Sequence, residues 1–476
     1  MLGDVLRARG RRAGLMPMTL REEMVRLSLF GGRLALAELI LFSVFLTDIL
    51  LLGIMGELNL SGVLLANAAF VLCYVTALGF LQGALPIASQ RFESGDIGGY
   101  HTIVTMSLLL GAGLAVLVLA IFLAFPFALR TFDYPPDLIA ESWRYIAWVL
   151  PAYMVAMVYI PVRNGIIATG SSRWFMTISL ATLVLNAAVS YILGFGISLG
   201  GLTISGMGTS GIALASTLVD SMLFAGFVLL LLRSGFRLTS IPIDRLTGRR
   251  WPMIRRQLAP AMAIGIPIGI VFFVDSTLFS AALMLTGRHD VQGMAAIGLI
   301  FEWSALAIMV PVGLSEAIVQ RVARTAGKDG SQQTSIAIIT KAALMTCAAY
   351  MAILAVIHFG FGINVPVYFI VDAASHPALV ARLDDLALLG FLVAAFHAVI
   401  IILAAILRGL MDVTTSMVAT LVCYWGIGLG LTVLFIEVLR LDVWYALLAV
   451  VIALVTSTVV IAWRLRLRLR MIRQAA

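Results

Sequence analysis

The sequence predicts an all-α integral membrane protein with twelve transmembrane helices in two six-helix lobes. Of its 476 residues, 62% are hydrophobic and 12% are charged. Soluble domains are about 45–50% apolar and about 25% charged, so this composition favours a protein dissolved in a bilayer. The apolar residues also form runs as long as the ~20 residues that a helix needs to cross the hydrocarbon.

Twelve spans are predicted from these runs. They lie near residues 30–54, 62–88, 102–126, 141–161, 174–195, 209–232, 260–285, 292–316, 334–358, 386–407, 414–436 and 443–463. The fourth is the least regular, because it contains Arg144, Pro151 and Pro161. Helices are favoured over strands, since a membrane barrel strand needs only about 9–11 alternating residues.

The basic residues indicate the orientation of the chain. With the N-terminus inside, 27 of the 32 Lys and Arg residues lie on the cytoplasmic side. The other side has Arg130, Arg144, Arg288, Arg382 and Arg440. This positive-inside pattern predicts a multi-pass protein of a bacterial inner (plasma) membrane with both termini in the cytoplasm. The positive charge therefore reflects topology, and no nucleic-acid partner is expected.

The longest cytoplasmic connection divides the chain near its middle. The predicted organisation is a cytoplasmic tail over 1–29, an N-lobe over 30–233, a linker over 234–258, a C-lobe over 259–464 and a cytoplasmic tail over 465–476. All three cysteines fall inside spans without a CxxC pair, so no disulfide framework, metal site or cofactor is predicted.

The two halves contain related motifs. Gly83 precedes Gln90-Arg91 at the end of span 2, and Gly313 precedes Gln320-Arg321 with the same spacing at the end of span 8. Because each half has an even number of spans, such repeats share one orientation and place a substrate site near the midplane. Coincidence between two apolar helical bundles is the alternative explanation.

Several ionisable residues lie inside predicted spans. They are Glu38 and Asp48 in span 1, Asp220 in span 6, Asp275 in span 7, Glu302 in span 8 and His397 in span 10. A charge at the bilayer centre costs at least about 2.5–3.5 kcal/mol on insertion scales, so each needs a partner or a function.

Function is favoured for Asp48, which lies in the middle of its span, and for Asp275, which follows a long apolar stretch. Pro267 also frees a backbone carbonyl near Asp275, and the site is suited to exchanging a proton or binding sodium. Glu302 fits either explanation equally. Structural roles are favoured for Glu38, near the cytoplasmic interface, and for Asp220, which we expect to pair with a hydroxyl.

Short motifs extend this pattern along nearly the whole chain. They are Asp48 to Gly53, Leu183 to Asn186, Gly206 to Ser216, Pro267 to Asp275, Met309 to Gly313, and Leu407-Arg408-Gly409 with Asp412. Together they resemble the multidrug and toxic compound extrusion (MATE) family of the NorM type. The resemblance implies a V-shaped pair of lobes and antiport, in which inward proton or sodium flow drives export of amphipathic, often cationic compounds.

The resemblance also implies roles for particular residues. Asp48 matches a coupling aspartate, with Asn186, Ser190 and Ser216 at the positions of its partners. In the C-lobe, Asp275 stands where a glutamate is usual, Glu302 where asparagine is common and His397 where an aspartate is common. Imidazole is a poor sodium ligand beside oxygen, and imidazolium repels sodium. We therefore expect coupling to H+ rather than Na+, with Asp48, Asp275, Glu302 and His397 as the coupling residues.

Other functions are less well supported. A flippase of the related branch, which moves lipid-linked oligosaccharides or precursors, often has fourteen spans and basic residues in its cavity. A membrane-embedded enzyme needs clustered catalytic residues, whereas the polar residues here are scattered one per helix. A purely structural protein has no need of buried acids, and the basic loop of major-facilitator transporters is missing after span 2. We expect a non-enzymatic monomer that contacts the bilayer and a small-molecule substrate.

Overall fold

The computed structural model describes residues 19–131, 135–171, 174–199, 202–233, 236, 251–326, 332–370, 374 and 376–474. Most of the predicted N-terminal tail and linker, and the last two residues of the C-terminal tail, lie outside these ranges. Within them, twelve helices are long and apolar enough to cross a membrane. The predicted fold class and number of spans are therefore confirmed.

Each predicted span lies within one helical segment of the described chain, apart from residue 174. The segments begin as α1 (Leu20–Met55), α2 (Glu57–Gln82), α3 (Ile97–Thr131), α4 (Pro136–Ala168), α5 (Phe175–Phe195), α6 (Thr209–Arg233), α7 (Trp251–Gly287), α8 (Val291–Ala326), α9 (Gln332–Ala355), α10 (Pro377–Gly409), α11 (Thr414–Thr420) and α12 (Val443–Gln474). After Gly83, α2 continues as a short helix over Ala84–Glu93.

Two segments depart from regular α-helix. The segment that starts with α9 ends in a π-helical turn, Val356–Gly360, before a 3-10 helix at Val365–Phe369. The segment that starts with α11 continues through π-helical residues Leu421–Leu429 and Val433–Val438. Wider turns of this kind rotate the following side chains relative to a regular helix. The sequence pattern did not predict them.

Several helices extend beyond the predicted spans. The first begins at Leu20, with Glu22 and Glu23 in its first turn. The last continues to Gln474 through an arginine-rich end. Hydropathy detects only the apolar part of a helix, so polar extensions are missed. Pro151 and Pro161 lie inside α4 without ending it, as membrane helices tolerate when neighbouring groups satisfy the freed carbonyls.

Contacts divide the chain into two compact units, with boundaries inside α1 and α7. The first unit includes Leu36–Gly269. Its core lies around α4, where Tyr145, Ile146, Val149 and Met157 are buried with Phe122. This helix packs against α2, α3 and α6. The buried side chains of α4 therefore lie beside polar residues of these neighbouring helices.

Close packing of α2 against α7 also lies within the first unit. A Cβ atom at Gly83 would lie 2.3 Å from the carbonyl oxygen of Ala261. A Cβ atom at Gly265 would lie 2.1 Å from the carbonyl oxygen of Phe80. Only glycine permits this approach of the two backbones, as is typical of small residues at membrane helix interfaces.

A β-hairpin joins α5 to α6. Its strands, β1 (Gly196–Leu199) and β2 (Leu202–Ser205), pair antiparallel, with Gly196 opposite Ser205. After the hairpin, the backbone N–H of Met207 donates to the carbonyl of Leu193 at 2.8 Å. No strand was predicted in this connection. The hairpin fixes the start of α6 beside the end of α5.

The second unit includes Ile270–Ala476 and the segment of α1 that ends at Ala35. Helix α10 packs against α8 and α12. The start of α1 is held to α8 by Arg321, which donates to Glu23 at 2.8 and 2.9 Å. This unit thus contains its own helix core around α10.

Candidate functional site

The first unit contains a polar cluster around Asp48. This aspartate lies on α1 and is buried, with 8% of its surface exposed. The hydroxyl of Ser190 on α5 donates to its Oδ1 at 3.0 Å, and the hydroxyl of Ser216 on α6 donates to its Oδ2 at 2.8 Å. One carboxylate therefore connects three helices, through two of the serines that the family resemblance implied as partners.

Asn186 completes the predicted set. It lies one helical turn before Ser190 on α5, so both side chains share a face. It is fully buried and close enough to Asp48 to interact with the carboxylate. Neither its Nδ2 nor its Oδ1, however, has a hydrogen-bond partner of normal geometry among the described residues. The cluster thus retains an unsatisfied buried amide.

Two buried tyrosines on α4 adjoin the cluster and were not predicted. The hydroxyl of Tyr153 donates to Oδ1 of Asn67 on α2 at 2.7 Å. Tyr145 lies two turns earlier, interacts with Tyr153 and Asn67, and is within electrostatic reach of Asp48. Their spacing of eight residues places both on one face of a helix, which was the available sequence signal.

The two acids that were assigned structural roles behave differently. Glu38 forms an ion pair with Arg163, at the end of α4, which agrees with its predicted structural role. Asp220 on α6 is partly buried and interacts electrostatically with Asp48. The hydroxyl partner expected for Asp220 is not found among the described residues.

The second unit contains the other predicted pair. Nε2 of His397 on α10 lies 3.3 Å from Oδ1 of Asp275 on α7. The imidazole is buried and stacks on the ring of Phe279, with centroids 5.5 Å apart. Phe279 lies one turn after Asp275, so one face of α7 provides both the carboxylate and the stacking ring.

Glu302 is not joined to this pair. Its side chain is exposed in the structure, next to the buried Trp303 on α8. In the described part of the chain, no hydrogen bond or ion pair links it to Asp275 or His397. Two of the three residues expected to act together in this unit are therefore in contact.

The π-helical continuation of α11 contributes residues near Asp275 that were not predicted. Tyr424 is almost completely buried and is within electrostatic reach of Asp275. The next residue, Trp425, donates its indole N–H to Oγ1 of Thr277 at 2.9 Å. Since the π-helical turns set where these rings point, a regular helical pattern could not have placed them.

Among the described residues, no group of three or more His, Cys, Asp and Glu side chains is placed to hold a metal ion. Each unit instead has a carboxylate linked by polar contacts to neighbouring helices, Asp48 on α1 in the first unit and Asp275 on α7 in the second. Protonation of either carboxylate would change those contacts directly.

Comparison with known proteins agrees with these features. The MatE family model matches residues 34–192 and 267–434. The chain is 24% identical over 399 residues to the probable multidrug resistance protein NorM of Agrobacterium fabrum, covering 83% of each chain. It is 26% identical over 414 residues to the multidrug resistance protein PmpM of Pseudomonas aeruginosa, covering 87% of this chain and 84% of PmpM.

A solved structure has the same fold. The eukaryotic MATE transporter AtDTX14 superposes with a TM-score of 0.80 at 16% sequence identity. The match covers 96% of this chain and 99% of that transporter. At this identity the likeness concerns the fold alone, and it extends over nearly every helix described above.

Proposed function

Since this chain belongs to the MatE family of multidrug efflux transporters, we propose that it is a proton-coupled antiporter. It exports small amphipathic or cationic organic compounds by alternating access. Its relatives NorM and PmpM are bacterial multidrug resistance proteins. The observation that supports proton coupling most strongly is the contact between His397 and Asp275.

The His397–Asp275 pair favours protons over sodium. A sodium ion at Asp275 would lie beside an imidazole, which is a poor ligand for it when neutral and repels it when charged. A proton is compatible with both residues, because imidazole and carboxylate each bind one. Binding of a proton changes the charge and the hydrogen bonding of the His397–Asp275 pair. It therefore alters the link between α7 and α10.

In the first unit, Asp48 responds to the binding of a proton in a comparable way. Both carboxylate oxygens accept hydroxyl hydrogens, an arrangement that suits the charged form. A proton on Asp48 turns one oxygen into a donor, so one of these bonds must rearrange. Ser216 has an alternative acceptor in the carbonyl of Ile212, at 3.1 Å. Protonation can thus weaken the links between α1 and α6 without leaving that hydroxyl unsatisfied.

Cationic substrates fit this mechanism through charge. A carboxylate attracts a positively charged compound, and a proton that neutralises the carboxylate removes that attraction. Proton entry from outside therefore releases the substrate there. The arginine distribution favours an orientation with both termini in the cytoplasm of a bacterial inner membrane. In the proposed antiport, protons flow inward and the substrate is carried outward.

The proposal is tested with the full chain in inverted membrane vesicles. An imposed proton gradient, acidic inside the vesicles, is predicted to drive accumulation of ethidium, a cationic amphiphile. Asp48→Asn and Asp275→Asn are predicted to reduce this accumulation strongly, whereas Asp137→Asn, at an exposed position, retains it. Full accumulation with Asp275→Asn, or accumulation driven by sodium alone at fixed pH, contradicts the proposal.

A further inference from the structure

Asp220 is placed to act with Asp48. It follows Ser216 by one turn of α6, a rise of about 6 Å along the helix axis, so both side chains lie on one face. Ser216 is bonded to Asp48 at 2.8 Å. The polar face of α6 thus runs from the serine that contacts Asp48 directly to Asp220.

The two carboxylates lack a protein cation. They interact electrostatically with each other. No Lys, Arg or His among the described residues forms an ion pair with either of them. Arg144 pairs instead with Glu141 and points to solvent, with 69% of its side chain exposed. Two like charges in a poorly solvated interior are unfavourable, so the site requires positive charge from outside the protein.

Asn186 gives independent support for a ligand at this site. It is completely buried, it faces Asp48, and both of its amide atoms lack a hydrogen bond of normal geometry. Buried polar atoms without partners are uncommon and cost free energy. An amide can either donate to a charged carboxylate or accept from a protonated one, so it suits a site whose proton content changes.

The other titratable groups on the helices packed around α6 do not neutralise the pair. On α4 they include Tyr145, Tyr153, Tyr159 and Glu141, which lies beside Thr209, and on α5 Tyr191, which is 54% exposed. The two arginines of α4 are paired with other acids, Arg144 with Glu141 and Arg163 with Glu38. Neither arginine therefore forms an ion pair with Asp48 or Asp220. Protons on the two aspartates are the simplest source of the positive charge that the site requires.

We propose that Asp220 is a second proton-binding acid of the Asp48 site, one helical turn deeper along α6. The inference rests on the proposed function, because it extends the proton-binding role of Asp48. A proton that enters the site and binds to either carboxylate removes the repulsion between the two. Since Asp48 on α1 is bonded to α5 and α6 while Asp220 lies on α6, the proton content of the pair controls how these three helices are joined.

Infrared difference spectra between acidic and alkaline pH test this on the full chain in lipid vesicles. Each acid that titrates contributes a carbonyl band from its protonated form. We expect Asp48→Asn and Asp220→Asn each to lose one band, and each to displace the remaining band of the partner. Asp220→Glu is expected to retain a band, displaced by the longer side chain, and Asp137→Asn to leave the spectrum unchanged.

The possible results separate this inference from the proposed function. If Asp220→Asn and Asp220→Glu both give the wild-type spectrum while Asp48→Asn loses a band, Asp220 does not bind a proton and the inference fails. Loss of the Asp220 band on adding sodium at constant pH also overturns it. The spectra involve no substrate, so failure of ethidium transport by the wild type leaves their outcome unaffected.

Discussion

Nε2 of His397 lies 3.3 Å from Oδ1 of Asp275, which joins α10 to α7 through an imidazole and a carboxylate. Under the proposed proton coupling, this contact is where a substitution is expected to change the ion preference. Replacing the imidazole by a carboxylate creates a site with two acids and no repelling cation. Oxygen ligands of this kind suit sodium better than imidazole does.

His397→Asp is therefore predicted to give a partial response to sodium. In vesicles held at constant pH, a sodium gradient should drive ethidium accumulation by this variant and not by the wild type. His397→Gln serves as the control, because it removes the imidazole without adding a charge. An unchanged ion preference in His397→Asp would count against the role assigned to His397.

The link between Ser216 and Asp48 predicts a coupled effect of two substitutions. A hydrogen bond to a charged group contributes about 1.5–3 kcal/mol in soluble proteins, and about 0.6 kcal/mol is the average for polar contacts between membrane helices. Ser216→Ala should lower the free energy of unfolding of the purified protein by an amount between these two values. Unfolding curves of the wild type and the variant measure the difference. In an Asp48→Asn background the loss should be clearly smaller, since the charged acceptor is gone.

Ser221→Ala is the matched control on the same helix. Its hydroxyl donates to the carbonyl of Thr217 at 2.7 Å, within α6. Its effect is expected to be the same with and without the carboxylate of Asp48. If Ser216→Ala and Asp48→Asn are additive, the hydrogen bond between them makes no measurable contribution.

The helices of this protein were largely predictable from the sequence, whereas contacts between helices were only partly so. Spans follow from apolar runs, since the bilayer requires them. Asp48 and its partners followed from motif positions. Glu302 was expected to act with Asp275 and His397, but its side chain is exposed and forms no hydrogen bond or ion pair with them among the described residues. Hydropathy does not show which way a side chain faces.

Asp220 shows a second limit of prediction from the sequence. Alone on an apolar helix, it was expected to pair with a hydroxyl. Only the packing of α6 against α4 and the bond from Ser216 to Asp48 show that it lies near Asp48 and two tyrosines. Tyr424 was missed for a different reason. It lies in π-helical turns, where the regular spacing of side chains on a helix does not hold.

Asp290, in the connection between α7 and α8, predicts a pH dependence of stability. Burial opposes its charge, yet the backbone N–H of Gly293 and the guanidinium of Arg382 together hold the pKa of Asp290 below its usual value. A lowered pKa stabilises the folded protein above the pKa of the unfolded chain, which is about 3.9. That contribution disappears as the pH falls through the folded-state pKa.

Asp290→Asn is therefore expected to lower the Tm at neutral pH and to have progressively less effect below about pH 4. Thermal unfolding of the purified protein across this range measures the difference. Asp385→Asn, at an exposed position of α10, controls for loss of a carboxylate elsewhere. A Tm difference that is constant with pH would show that the charge of Asp290 does not contribute.

The close approach of α2 and α7 predicts a strong effect at Gly265. A methyl group there would lie 2.1 Å from the carbonyl oxygen of Phe80, so the backbones must separate. Overpacking of this kind typically costs about 1–3 kcal/mol. Gly265→Ala should lower the Tm of the purified protein and reduce the yield of folded protein.

Gly226→Ala on α6 is the matched control. The nearest atoms to its added methyl group belong to Ile178 at 3.9 Å, an ordinary contact distance. Its Tm should equal or exceed that of the wild type, because alanine favours helix over glycine. Equal losses for both variants would show that the crossing of α2 and α7 is not limited by steric contact.

The most direct test of proton-coupled export is the proton movement that a substrate causes. Inverted vesicles containing the full chain are acidified inside, and a pH-sensitive dye follows the gradient while ethidium is added at constant sodium. The wild type is predicted to dissipate the gradient on addition of ethidium, and the variant with both Asp48→Asn and Asp275→Asn is predicted not to. If ethidium is transported by the wild type without proton movement, and a sodium gradient alone drives that transport, proton coupling is contradicted.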